Sequence, residues 1–308
     1  MATLLVSQRN FADHATPTGH PERPDRIRAV DEALSAPAFA ALVRRDAPSG
    51  DLTLAELVHG GDYLQRLSRA RPAEGIGQID EDTFISSRSL DAAATALGAG
   101  LLALEAVVLG EVRNAFCAVR PPGHHAEIAR PMGFCLVNTI AVVAREAQRK
   151  FGAERVAIVD FDVHHGNGTE DIFKADPTVF YASSHQMPLY PGTGAPSFTG
   201  VGNICNVALG AGSGGAEMRA AYEGTILPAL EAFAPDLLLI SAGFDADYRD
   251  PLAGLNWRSE DFGWVTTRLM EVAARRCDGR IVSMLEGGYD RIGLASGAAA
   301  HVTALMGG

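Results

Sequence analysis

The chain has 308 residues, 47% hydrophobic and 20% charged, an ordinary composition for a folded domain with a large core. Its net charge of -11, with no run of Lys or Arg, argues against direct binding of nucleic acid, which rests on neutralising phosphates. Four scattered cysteines (Cys117, Cys135, Cys205, Cys277), an N-terminal apolar stretch too short for a signal peptide and no uninterrupted membrane-length apolar run predict a cytoplasmic protein with free thiols and no membrane partner.

In chain order, helix-period stretches alternate with short apolar runs. A helix is predicted near 24–35 and a long Ala/Leu-rich one near 89–109, before a strand at 114–119 (NAFCAV) and a helix near 138–150. Strands at 155–160 (RVAIVD) and 178–182 (TVFYA) precede a helix near 215–233. A strand at 236–241 (DLLLIS), a helix near 259–277, a strand at 280–285 (RIVSML) and a helix near 293–306 complete the pattern. Strands that are apolar along their whole length belong in a sheet covered on both faces, and the alternation implies βαβ crossovers. No linker, repeat or low-complexity tract divides the chain. We therefore expect a single α/β domain over 1–308, with a mostly parallel central sheet and helices on both faces.

The unusual sequence lies just after the strands: PPGHHAE, DVHHGNG, SSHQMPLYPGTG, AGFDADYRDP and EGGYD, one loop per strand. Ligand sites of open α/β sheets lie beyond the carboxyl ends of the strands, so these five polar loops should meet in one crevice. Within them, Asp162 and His164 alternate on one side of an extended segment, and Asp245 follows a later strand. Three such donors suit a catalytic metal that keeps a position for water. An isolated Asp-x-His pair more often caps a helix; only its neighbours favour the metal. His124 and His125, after a stiff Pro-Pro-Gly turn, look like proton-transfer groups, with Asp160 and Asn167 as candidate partners for their other ring nitrogens. Tyr289, preceded by two glycines at the same edge, is a candidate donor to a substrate carbonyl.

The segments HPERPDR (20–26), RPPGHHA (120–126), GFCLVN (133–138), DFDVHHGNGTE (160–170), LYPGTG (189–194), SAGFDADYRDPLAG (241–254) and EGGYD (286–290) resemble those of histone deacetylases, in the family's order and over almost the whole chain. HPERP, GFDA and HHGNG are most similar to the class II and bacterial deacetylase-like branch. The resemblance implies the arginase–deacetylase fold and hydrolysis of an acylated amine such as acetyl-lysine. It implies zinc on Asp162, His164 and Asp245, His125 as general base and then acid, and His124 as an electrostatic partner held by Asp160. Asn167 would hold His125, and Tyr289 would stabilise the tetrahedral oxyanion. Gly133 and Phe134 would wall a narrow tunnel opposite Tyr190, with Asp82 and Leu252 at its rim. It further implies a structural potassium ion on main-chain oxygens of Asp160, Asp162, His164 and Ser184 and on the Ser183 hydroxyl. Tyr190 departs from a common phenylalanine, and Asn167 from the aspartate of class I members.

Three rival readings remain at this stage: an acetylpolyamine amidohydrolase, a binuclear-manganese ureohydrolase of the same fold, and a silent binder of acyl-lysine. Leu252, where polyamine-selective relatives carry a glutamate, argues against the first. Too few carboxylates around Asp-x-His argue against the second, and retention of Tyr289 and the metal donors argues against the third. The oligomeric state is left open.

Overall fold

The computed structural model describes residues 2–307. Its strands are β1 (Thr3–Ser7), β2 (Val43–Asp46), β3 (Ile76–Gln78), β4 (Phe84–Ser86), β5 (Asn114–Ala118), β6 (Val156–Asp160), β7 (Val179–Gln186), β8 (Ile204–Leu209), β9 (Leu237–Ala242) and β10 (Ile281–Leu285). The helices are α1 (Asp25–Leu34), α2 (Tyr63–Ala70), α3 (Ser89–Val108), α4 (Thr139–Phe151), α5 (Asn167–Phe173), α6 (Gly215–Ala221), α7 (Leu227–Phe233), α8 (Ser259–Arg276) and α9 (Arg291–Gly307). Eight strands form one sheet in the order β2-β1-β5-β10-β9-β6-β7-β8, and β3 pairs with β4 in a separate hairpin. Every pairing in the large sheet is parallel.

Side chains alternate across the pleat and sort into two cores. Leu5, Phe116, Val159 and Ile240 join the cluster under α1, α8 and α9. Leu4, Cys117, Ile158 and Leu239 join the one under α3 and α4. The central strands are buried along their full length, which explains their unbroken apolar runs. Helix α3 spans 20 residues and is long and apolar enough, by length and composition, to cross a membrane; most of it lies buried inside the protein. All four cysteines are free.

Five strands escape the sequence pattern. The edge strand β2 (VRRD) alternates between half-buried and exposed, β8 is only partly buried, and the β3–β4 hairpin is short. β1 lies in the N-terminal apolar stretch and adds an internal strand to the predicted set. The stretch 215–233 forms no continuous α-helix: a π turn at Tyr222–Ile226 separates α6 from α7. Pro228 explains the interruption, because it has no N–H to donate to a carbonyl one turn back.

Candidate active site

The strand order makes β5, β10, β9, β6 and β7 neighbours, so the loops at their carboxyl ends converge. His164 Nδ1 lies 3.2 Å from both Asp162 Oδ1 and Asp245 Oδ2, and all three side chains are buried. Their donor atoms lie within 4.8 Å of one another, a grouping that can hold a metal ion. Backbone amides orient the carboxylates: Gly287 N–H donates to Asp162 Oδ2 (2.8 Å) and Val163 N–H to Asp245 Oδ1 (2.9 Å). Burial pushes the Asp245 carboxyl up to about 7, and the Asp162 carboxylate adds to it. Two buried carboxylates sharing one imidazole carry more negative charge than their surroundings neutralise, so a divalent cation fits this donor set. Glycine is required around it, since a Cβ on Gly243 would stand 2.1 Å from Asp162 Oδ2 and one on Gly287 2.1 Å from Asp245 Oδ2.

The two adjacent histidines acquire opposite characters. His124 Nδ1 lies 3.0 Å from Asp160 Oδ2, which also accepts the Tyr181 hydroxyl. Burial opposes charging His124, but Asp160 and Asp162 outweigh it and raise the ring to about 10. His125 Nδ1 lies 2.8 Å from Asn167 Oδ1, and Asn167 Nδ2 donates to Glu127 Oε1 at 2.7 Å. The Glu127 carboxylate can only accept, so it turns the amide nitrogen toward itself and the amide oxygen toward His125. His125 therefore carries its proton on Nδ1 and offers Nε2 as an acceptor. Burial, reinforced by His124 and His164, holds His125 well below the ordinary histidine value. The carboxylates favour the charged form of His124 while burial favours the neutral form of His125, a division suited to acid and base work.

A cavity of about 150 Å³ opens over these groups, lined by Asp82, His125, Gly133, Phe134, His164, Tyr190, Leu252 and Tyr289. Gly133 has φ +56°, and a Cβ there would stand 2.4 Å from the His125 ring; no other residue fits. Phe134 also has positive φ (68°), uncommon for an aromatic residue, and stands edge-on to Tyr289 with ring centroids 5.6 Å apart. Its amide donates to Thr83 Oγ1, whose hydroxyl donates to Asp82 Oδ1 at 2.7 Å. Tyr190 is exposed and edge-on to His125 at 5.3 Å. Beside the candidate metal-binding segment, Asp160 and Ser183 are register partners on β6 and β7. The Ser183 hydroxyl lies 2.9 Å from His185 Nδ1, and Ser184 Oγ lies 3.0 Å from the Tyr222 hydroxyl.

Several supporting residues were not assigned from the sequence. Glu286 accepts from Gly123 N–H (2.7 Å), His124 N–H (3.2 Å) and Ser241 Oγ (3.1 Å), and so fixes the loop that carries the histidine pair. Arg26 donates to the carbonyls of Glu286 (2.5 Å) and Gly288 (2.7 Å) and lies 5.0 Å from the centroid of the Tyr289 ring. Glu22 holds Arg26 and makes a two-point contact with Arg120. Their motifs were visible as HPERPDR, RPPGHHA and EGGYD, but contacts between residues some 260 positions apart are not.

The sequence profile of the histone deacetylase domain matches residues 20–305. The chain belongs to the histone deacetylase family. It is 40% identical to "Histone deacetylase 10, chloroplastic" of Oryza sativa subsp. japonica, over 94% of this chain and 70% of that protein. A "Histone deacetylase-like amidohydrolase" of Pseudomonas aeruginosa is 36% identical over 88% of this chain and 73% of its own length. Among solved structures, the HDA15 HD domain superposes with a TM-score of 0.93 and 33% identity, over 99% of this chain and 88% of that one. The parallel eight-stranded sheet flanked by helices is thus the arginase–deacetylase fold of histone deacetylases.

Proposed function

We propose that the protein is a zinc-dependent amidohydrolase that deacylates an acylated amine, with acyl-lysine as the preferred substrate class. The observation that carries this reading is the meeting of Asp162, His164 and Asp245 with His125 and Tyr289 at one small cavity with aromatic walls. The first three residues would hold zinc, which when bound supplies Lewis acidity toward the amide carbonyl and the attacking water. His125 Nε2 accepts the proton of that water, and a histidine returns a proton to the leaving amine. The Tyr289 hydroxyl donates to the oxygen on which charge develops. Burial holds this phenol well above its ordinary value, so it stays protonated as a donor. Phe134 and Tyr190 suit the aliphatic stem of a lysine and help to exclude water. A potassium ion beside the zinc, on main-chain oxygens of Asp160, Asp162, His164 and Ser184 and the Ser183 hydroxyl, belongs to the same proposal and rests on the family resemblance alone.

Leu252 in the cavity wall supports a lysine-like substrate over an acetylpolyamine, since it offers no charge to a second ammonium. Among the described residues, one three-donor group is found, which supports a mononuclear rather than a binuclear centre. The reading is tested with a fluorogenic acetyl-lysine amide. Tyr289→Phe should retain its zinc and melting temperature and lose on the order of 100- to 1,000-fold in kcat. Turnover within a few-fold of wild type would remove the tyrosine from the reaction.

A further inference from the structure

The EGGYD loop is built from residues that do not fix their own direction. Gly288, immediately before Tyr289, has φ +120°, a conformation that side-chain-bearing residues rarely adopt. An outside anchor must therefore set where the Tyr289 side chain leaves the backbone. Arg26 holds the carbonyls of Glu286 and Gly288, and Phe244 N–H donates to the Gly287 carbonyl at 3.1 Å. The Tyr289 amide itself is held by Asp250, whose Oδ2 accepts it at 2.7 Å and the Asp290 amide at 3.3 Å. The other oxygen of the same carboxylate, Oδ1, accepts the Leu252 amide at 2.9 Å.

Leu252 and Tyr289 both line the cavity, so one buried carboxylate joins its wall to the hydroxyl-bearing residue. A bond from Asp250 to Leu252 alone would be an ordinary local turn. The bonds to Tyr289 and Asp290 cross 39 and 40 positions and join the loops after β9 and β10. We propose that Asp250 is a positioning residue for Tyr289 and couples it to the tunnel wall at Leu252. The assignment rests on the reading of Tyr289 as the oxyanion donor.

The test uses zinc-loaded wild type, Asp250→Ser, Tyr289→Phe and the double variant on the acetyl-lysine amide. A serine hydroxyl can still accept from the Leu252 amide but is too short to reach Tyr289. Asp250→Ser should keep its zinc and lower kcat on the order of 10- to 100-fold, the scale of a misplaced catalytic group. KM should stay within about threefold. In the Tyr289→Phe background the same substitution should lower kcat less than about twofold, because nothing remains to be positioned. Asp250→Asn, with one oxygen left to accept, should fall between serine and wild type, and it carries the same cycle if the serine variant does not fold. Equal losses in both backgrounds would overturn the proposal. Should wild type turn over no acyl amide, the functional reading fails, and amide hydrogen exchange still judges the anchor. Asp250→Ser should then speed exchange across 286–290 and leave 241–246 protected; unchanged exchange at 286–290 would overturn it.

Discussion

With His125 as the proposed base, its contact with Asn167 should govern the pH dependence of the reaction. Asn167 presents an oxygen to His125 Nδ1–H because Glu127 holds its amide nitrogen. An aspartate at 167 would accept the same proton with a full negative charge and so stabilise the imidazolium. A base with a higher pKa is lost at a higher pH on acidification. Asn167→Asp should therefore move the acidic limb of kcat/KM toward higher pH, by less than about one unit because Glu127 opposes a second charge. The double variant Glu127→Gln, Asn167→Asp should move it further. A limb that stays in place, or moves toward acid, would contradict the tautomer assigned to His125.

At the scale of elements, the loop after β9 carries the candidate metal donor Asp245, the proposed Tyr289 anchor Asp250 and Leu252, the residue expected to set specificity. Asp247, a rival source of charge at the rim, is buried, accepts the Arg249 amide at 3.0 Å and has Arg249 Nε at 3.4 Å. The nearby Arg249 offsets part of its charge, and diffuse surface charge is screened within about 8–10 Å at ordinary salt. Leu252, in the cavity wall, is the proposed determinant of specificity. Wild type should prefer acetyl-lysine peptides over acetylspermidine, and Leu252→Glu should shift catalytic efficiency toward the polyamine. A wild-type preference for the polyamine would refute this account of specificity. The five central strands were legible because burial on both faces demands unbroken apolar runs. Of those missed, β2 and β8 lie at the edges and β3 and β4 form a short hairpin, where the apolar signal breaks. By contrast, β1 is internal and buried, but its five-residue apolar run stands alone at the start of the chain, with no helix-period stretch before it.

For the whole molecule, the candidate donors were legible because they sit where five readable strands end. Their mutual placement was not, because sequence does not show that β10 inserts between β5 and β9. That insertion brings Glu286 beneath the His124 amide and Gly287 against the carboxylates of Asp162 and Asp245. The Glu22–Arg120 pair was equally hidden, since its value depends on complete burial of both partners. This convergence brings Asp162, His164 and Asp245 together as the proposed site for one zinc. Metal analysis of purified wild type and Asp245→Ala tests it most directly. One zinc per chain in wild type, and loss of most zinc together with activity in the variant, is the expected result. Full zinc content with unchanged turnover in Asp245→Ala would contradict it.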